Sequence, residues 1–457
     1  MPNETQYAAT DARPRRRIWW FWVIASLLLL VFAGVHLIGR SRVESHLAAI
    51  RKAGFPASPE ELNAWYSAVP PAENAAFGFI EAADLVEAPT AASQLPVVGK
   101  AELPEPGATL SPEMREAMSL YLAANKDALE TIRSAAQLPK SRYTMDLRQG
   151  FSTLLPHLAQ LKKLAQLLKL ETIYASDRRQ PDLAVRSTLD ALALAHSLAN
   201  EPLVISELVR MACVAITVSG LERTLSENAL TDQQLRTLSE KLQQAEADGH
   251  AGLTRALAGE RSVGIDAFSM PPAKMAALSG SGGSSDPPQM AFVALRVTGI
   301  QGRDFGFYLN TMEQFIKAAQ MQFPDALQKA RTATTTMEER FQTVSGRLLI
   351  FSRMLLPALT KSIEKEARMA AQLRSAQLAI AIERYRIARG GGLPSNLGEL
   401  MPTYLDQMPS DPFDGQPLRL ERLDKGYRVL CPGASEDSSA PTDKKGRKKP
   451  LVFVVAR

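Results

Sequence analysis

The chain has 457 residues, 46% of them hydrophobic and 22% charged, which is ordinary globular composition and length enough for two or three domains. A formal net charge of +5 is only mildly basic and makes no electrostatic case for a nucleic-acid partner. Two cysteines, Cys213 and Cys431, exclude a disulfide framework and a four-thiolate zinc site, and leave room for at most one disulfide.

From the N-terminus, residues 1–17 form a basic tail, with Arg13, Arg15, Arg16 and Arg17 at its end. The next 21 residues, Ile18 to Ile38, carry no formal charge. As a helix they would span about 31 Å, matching a bilayer hydrocarbon core of about 30 Å. Trp19, Trp20 and Trp22 crowd one end, where indoles favour the membrane interface, and the arginines before them favour a cytoplasmic N-terminus. The expectation is a single-pass anchor in the cytoplasmic membrane, contacting lipid through residues 18–38, with the bulk of the chain extracytoplasmic. A cleaved signal peptide ending near Val31-Phe-Ala33 is the alternative. His36 falls near the end of the span, where an interfacial role fits better than a proton relay.

Residues 39–150 read as a helical and irregular membrane-proximal region. Ser58-Pro-Glu-Glu61 and Ser111-Pro-Glu113 each set a hydroxyl cap before a proline and first-turn acids, so both predict helix starts. Pro89 to Pro112, rich in Pro, Ala and Gly, reads as an irregular crossing.

Residues 151–358 read as a helical domain. Phe151, Leu154, Leu155, Leu158, Leu161, Leu164 and Leu168 recur three or four apart and define one apolar face. Further helices are expected over Leu183 to Ala199, Leu203 to Leu225 and, capped by Thr231, Asp232 to Ala247. The short breaks at Arg178 to Pro181 and Asn200 to Pro202 imply antiparallel helical hairpins. The Gly/Ser/Pro-rich stretch 270–289 reads as a flexible loop, after which helical patterning resumes near Asp304 and Thr332.

Residues 359–457 change character. A long helix over Leu359 to Ala388 leads to Gly390-Gly-Gly392. Ser395 caps a short helix that Pro402 ends, and Asp414-Gly415 carries hairpin-turn chemistry. Leu418 to Glu421, Gly426 to Leu430 and Leu451 to Val455 read as strands. The expected fold class is therefore mainly α, with an N-terminal transmembrane helix, an array of helical hairpins and a small α+β unit at the C-terminus.

The run Leu393-Pro-Ser-Asn-Leu-Gly-Glu-Leu-Met-Pro402, followed by Met408-Pro-Ser-Asp-Pro-Phe-Asp-Gly415, resembles the C-terminal domain of the type II secretion major pseudopilin, the G-type pilin-like subunit. The likeness covers roughly the last 80 residues. In two respects the chain departs from that family. Its long helix is internal and charged where a pseudopilin has an N-terminal apolar stem. The loop that the resemblance would make a calcium site, 433–449, offers only Glu436, Asp437 and Asp443 beside five basic residues, which oppose a divalent ion. More loosely, the anchor, Trp65-Tyr66, Pro70-Pro-Ala-Glu-Asn74-Ala-Ala76 and the C-terminal unit together look like a group of bacterial membrane-anchored proteins.

No motif announces chemistry. His36, His46, His157, His196 and His250 are scattered, with no His-Glu-x-x-His, nucleophile elbow, Walker loop or dinucleotide fingerprint. His157 and His196 could meet across a hairpin. Glu171, Glu201, Glu207 and Glu260 sit in or beside apolar helices, where pairing with Arg186, Arg210 or Arg261 is the plain expectation. Cys213, within an apolar run, is expected to be a buried thiol. The basic run Lys444 to Lys449 reads as a solvated loop, with anionic lipid or polymer as the sharper option. No catalytic residue and no cofactor emerges. The leading functional expectation is a non-enzymatic envelope interaction or scaffold protein with a protein partner. A component of a secretion or pilus-like machine, and an extracytoplasmic carboxylate-dependent hydrolase, are the alternatives.

Overall fold

A computed structural model describes residues 43–271, 300–357, 359–436 and 450–457, together with Trp19, Trp20, Trp22, Val23, Ser26 and Leu27. Most of the anchor run, residues 272–289 of the expected flexible loop, and the Lys444 to Lys449 run lie outside the described residues. The six described residues of the expected anchor are helical and exposed.

The protein is mainly helical, with one small antiparallel sheet at its C-terminal end. Both proline-led starts are capped as their sequences dictate. The Ser58 hydroxyl accepts from the Glu61 amide at 3.2 Å and begins α1 (Pro59–Trp65). The Ser111 hydroxyl accepts from the Met114 amide at 3.1 Å and begins α3 (Pro112–Ala124). Between them lie α2 (Ala75–Asp84) and the expected irregular crossing, and α4 (Lys126–Ala135) follows.

The central helices are α5 (His157–Asp177), α6 (Pro181–His196), α7 (Val204–Glu227) and α8 (Asp232–Ser269). The first of them starts later than the leucine spacing predicts. Pro156 disfavours helical backbone at Leu155, so Phe151 and Leu154 fall before the helix, and Leu154 is 79% exposed. The face from Leu158 onward is buried as expected. Short connections fold α5, α6 and α7 back on one another, and all three pairs are in contact. Thr231 and Gln234 close the capping box of α8.

That helix runs 22 residues beyond its expected end at Ala247, through Gly249, Gly252, Gly259 and Gly264. Close packing explains the glycines: a β-carbon at Gly259 would sit 1.8 Å from the Pro202 carbonyl oxygen, and one at Gly264 would sit 1.9 Å from the Tyr308 hydroxyl. Then come α9 (Ile300–Ala319), α10 (Asp325–Gln342), the short α11 (Ile350–Leu355) and the long α12 (Ser362–Ala388), which packs along α8 and α7.

Among the described helices, α7 is the one long and apolar enough to cross a membrane, yet 61% of its apolar window is buried inside the protein. It also carries Glu207, Arg210, Arg223 and Glu227, all buried and all ion-paired. These are the properties of a core helix.

After α12, Asn396 rather than Ser395 caps a short 3-10 helix, Leu397–Leu400, because Glu399 reaches back to it in a capping box. Asp414-Gly415 closes a turn that joins Ser410 to Pro417 by a single bridge, with the Gly415 amide donating to Asp411 at 2.8 Å. The strand hairpin instead turns at Leu423–Gly426, where Gly426 takes φ +87°. Strands β1 (Arg419–Arg422), β2 (Tyr427–Cys431) and β3 (Leu451–Val455) form an antiparallel meander in that order. Tyr427, Val429, Cys431, Leu451, Phe453 and Val455 alternate onto the buried face, which packs on α12.

The sheet is joined to the helices by more than apolar contact. The Tyr427 hydroxyl donates to the Ala379 carbonyl at 3.0 Å, the Val454 amide to Glu222 at 2.9 Å and the Ala456 amide to Ser226 at 3.1 Å. Arg457 donates to the Asn228 carbonyl at 2.7 Å and pairs with Glu383. The main apolar core runs from Ile50 to Val455, and Leu62, Tyr66, Leu147, Leu203 and Val263 form a second, smaller cluster.

Candidate functional site

The acids singled out in the sequence are occupied inside the body. Glu171 pairs with Arg133 at 2.6 Å and accepts from the Ser187 hydroxyl at 2.6 Å, while Arg186 is exposed. Glu201 meets His157 at 2.9 Å. Glu207 takes Arg210 at 2.7 Å, the pairing expected. The partly buried Glu260 accepts from the Val204 amide at 3.4 Å, and Arg261 pairs with Glu313 at 3.0 Å. His157 and His196 do not meet; each has its own carboxylate. Both cysteines are free and buried, and burial pushes the Cys213 thiol up to about 12. Of the calcium candidates, Glu436 ends a short 3-10 helix, Pro432–Glu436, and Asp437 and Asp443 lie outside the described residues. Among the described residues no group of three or more His, Cys, Asp or Glu side chains is arranged to hold a metal ion.

Two cavities flank the α6–α7 joint. The first, about 240 Å³, is lined by Phe77, Ile80, Arg142, Tyr143, His157 and Gln160 among others. Its construction draws on the Trp65-Tyr66 and Pro70 to Ala76 motifs. The Asn74 side chain accepts from the Arg142 amide at 2.8 Å and donates to the Arg142 carbonyl at 2.9 Å, while also capping α2 through the Ala76 amide at 3.1 Å. Tyr66 accepts from the Tyr143 amide at 3.1 Å, and its ring carries the Arg142 guanidinium 4.4 Å from its centre. Tyr143 stacks on His157, with ring centres 4.6 Å apart. Because the Ser197 hydroxyl donates to the Leu194 carbonyl at 2.7 Å, it receives the Tyr143 hydroxyl proton, also at 2.7 Å. Burial holds the Tyr143 phenol far above its ordinary range, so Tyr143 is a neutral donor.

The second cavity, about 450 Å³, lies between α6 and α8 and is lined by Asp190, His196, Lys241, Gln244 and Asp248 among others. His196 Nδ1 meets Asp248 at 2.6 Å, which leaves Nε2 as the outward ring nitrogen. Asp190 is buried, and burial pushes its carboxyl up to about 6 against the nearby Arg133. Its Oδ2 has no hydrogen-bond partner.

The helical core also holds a buried ionic triad. Arg210 is held by Glu207 on the same helix and lies 3.8 Å from Glu366 on α12. Two carboxylates share one guanidinium, so burial and the Glu207 charge push Glu366 up to about 8. The absence of a side chain at Gly249 makes room: a β-carbon there would lie 2.3 Å from Glu366 and 2.5 Å from Arg210.

Arg142, Asp190, Asp248 and Glu366 were not legible as site residues. Each gains its partners across 52 or more positions of sequence or from burial, and none stands in a local motif; Asn74, inside the Pro70 to Ala76 run, was the nearest signal. A helical body with an α+β unit built into it defines the class of architecture and no more. No protein-family model, curated protein or solved structure matches the chain.

Proposed function

We propose that the chain is a single-pass membrane protein whose body, from residue 43 onward, is an extracytoplasmic interaction platform. The observation that supports this reading is the contrast between two apolar segments. Helix α7 has its apolar face and its charges satisfied inside the body. Ile18 to Ile38 has 21 uncharged residues and follows a cluster of arginines. The platform reading rests on where the ionisable groups are used. Glu171, Glu201 and Glu366 are buried in contacts that join separate helices or their connections, and Glu207 is buried in an ion pair within α7.

Protease treatment of intact and opened cells tests the orientation. With the body outside the cytoplasmic membrane, an epitope after Arg457 is lost from spheroplasts while one before Pro2 survives. Protection of the C-terminal epitope until the inner membrane is lysed would reverse the assignment.

A further inference from the structure

The Arg142 pocket sets a guanidinium beside an apolar wall. The Arg142 guanidinium forms no ion pair among the described residues, and its Nη1 is buried without a hydrogen-bond partner. Nη1 is closed off from solvent, so it is the rest of the guanidinium, on a half-buried residue that lines the cavity, that is left for an acceptor there. The buried Glu201 carboxylate is bound to His157 through Oε1 and forms no ion pair with Arg142, although its Oε2 has no hydrogen-bond partner. Nor is the arginine loosely placed: Asn74 clamps its backbone on both sides, and the guanidinium carbon lies over the Tyr66 ring.

The remaining walls define what accompanies the negative charge. Phe77 and Ile80 contribute an apolar side, and Phe77 is 52% exposed although it is a large hydrophobe at the cavity's edge. Gln160 lies beyond it, its amide holding the exposed Asp84 at 3.1 Å. Planar, bidentate acceptors suit a guanidinium best, and a carboxylate is the smallest of them. At about 240 Å³ the cavity is smaller than the roughly 300–1,000 Å³ of sites for drug-sized molecules. It suits a compact acid with one small apolar group.

We infer that this pocket binds a small monocarboxylate carrying a short apolar substituent, with Arg142 holding the carboxylate and Phe77 and Ile80 holding the substituent. Free short-chain acids and the C-terminal residue of a peptide both present this chemistry. The inference is independent of membrane anchorage and stands or falls separately from it.

Calorimetric titration of the detergent-solubilised full chain tests it, with sodium butyrate and N-acetyl-L-alanine set against butyramide and N-acetyl-L-alanine amide. Both acids, or one of them, should bind at least tenfold more tightly than the matching amide. Preference for N-acetyl-L-alanine over butyrate assigns the source as a peptide terminus, and the opposite preference as a free acid. Arg142→Gln should weaken acid binding tenfold or more, and Phe77→Ser, at an exposed position, should weaken it several-fold. Equal binding of acid and amide, binding of neither acid, or full acid affinity in a folded Arg142→Gln protein would overturn it. The acid and amide comparison decides the matter on the unaltered chain even where Arg142→Gln fails to fold.

Discussion

Glu366 shows how a single residue couples this fold to pH. Its carboxyl, pushed up to about 8 by burial and by Glu207, faces Arg210 from α7 and Glu246 from α8. In the unfolded chain an ordinary glutamate releases its proton near 4.5, so between that value and about 8 the folded state holds the extra proton. Stability contributed by the protonated form is complete at acid pH and is lost as pH rises through that window. Delaying the release of one proton by a single pH unit is worth about 1.4 kcal/mol, so the effect is large for a group with no solvent screening. Urea midpoints of the native chain should therefore fall between pH 5 and pH 9. Glu366→Gln, which cannot ionise, should flatten much of that slope and match the native protein at the acid end. A parallel pair of curves would mean that Glu366 is ionised in the folded protein. Asp190, at about 6, and Glu222, at about 7, are raised by burial as well and leave a residual slope of the same sign.

At the scale of the elements, the glycines of α8 separate local propensity from packing. Gly259 lies against the Pro202 carbonyl with no room for a methyl group, whereas Gly302 on α9 has nothing within 4 Å of its would-be β-carbon. Alanine relieves the entropic cost of glycine in a helix, worth about 0.5–1 kcal/mol, but overpacking costs about 1–3 kcal/mol. Gly302→Ala should raise the unfolding midpoint and Gly259→Ala should lower it, as measured by chemical denaturation. A stabilised Gly259→Ala protein would show that α8 and the α6–α7 joint are not packed as described. The same helix marks the limit of what was legible. Its start was evident from Thr231 and Gln234, which act within one turn; its extent was not, because glycines tolerated only through contact with Pro202 and Tyr308 look locally like a helix end. Helix α5 erred the other way, since leucine spacing continued through Pro156 while the backbone could not. The strands β1, β2 and β3 were readable from alternation alone, but the choice of Asp424–Gly426 over Asp414-Gly415 as the hairpin turn depends on which flanking residues find partners. Of the two cavities, His157, His196 and Glu201 were visible as residues, and the pairings of the histidines with Glu201 and Asp248 became visible only when the helices were brought together.

For the whole molecule, the continuity of the core matters most. The long helix α12 packs against α7, α8 and the sheet, β3 also reaches α7, and Arg457 ties the chain's last residue to Glu383 and Asn228. The C-terminal unit is thus part of the same body, and any partner it engages meets a surface fixed to the helices. Charged groups that would be costly in a bilayer are paired within that body, α7 included. The body should therefore need the segment before residue 43 for membrane attachment and for nothing else. Expression of the full chain beside a form lacking residues 1–42, followed by alkaline extraction of membranes and circular dichroism of the released protein, tests this directly. The full chain should stay in the membrane pellet through alkaline extraction, and the shortened form should be water-soluble, helical and cooperatively unfolding. A shortened form that still resists extraction, or a full chain that washes off, would contradict the assignment of Ile18 to Ile38 as the tether of a self-contained body.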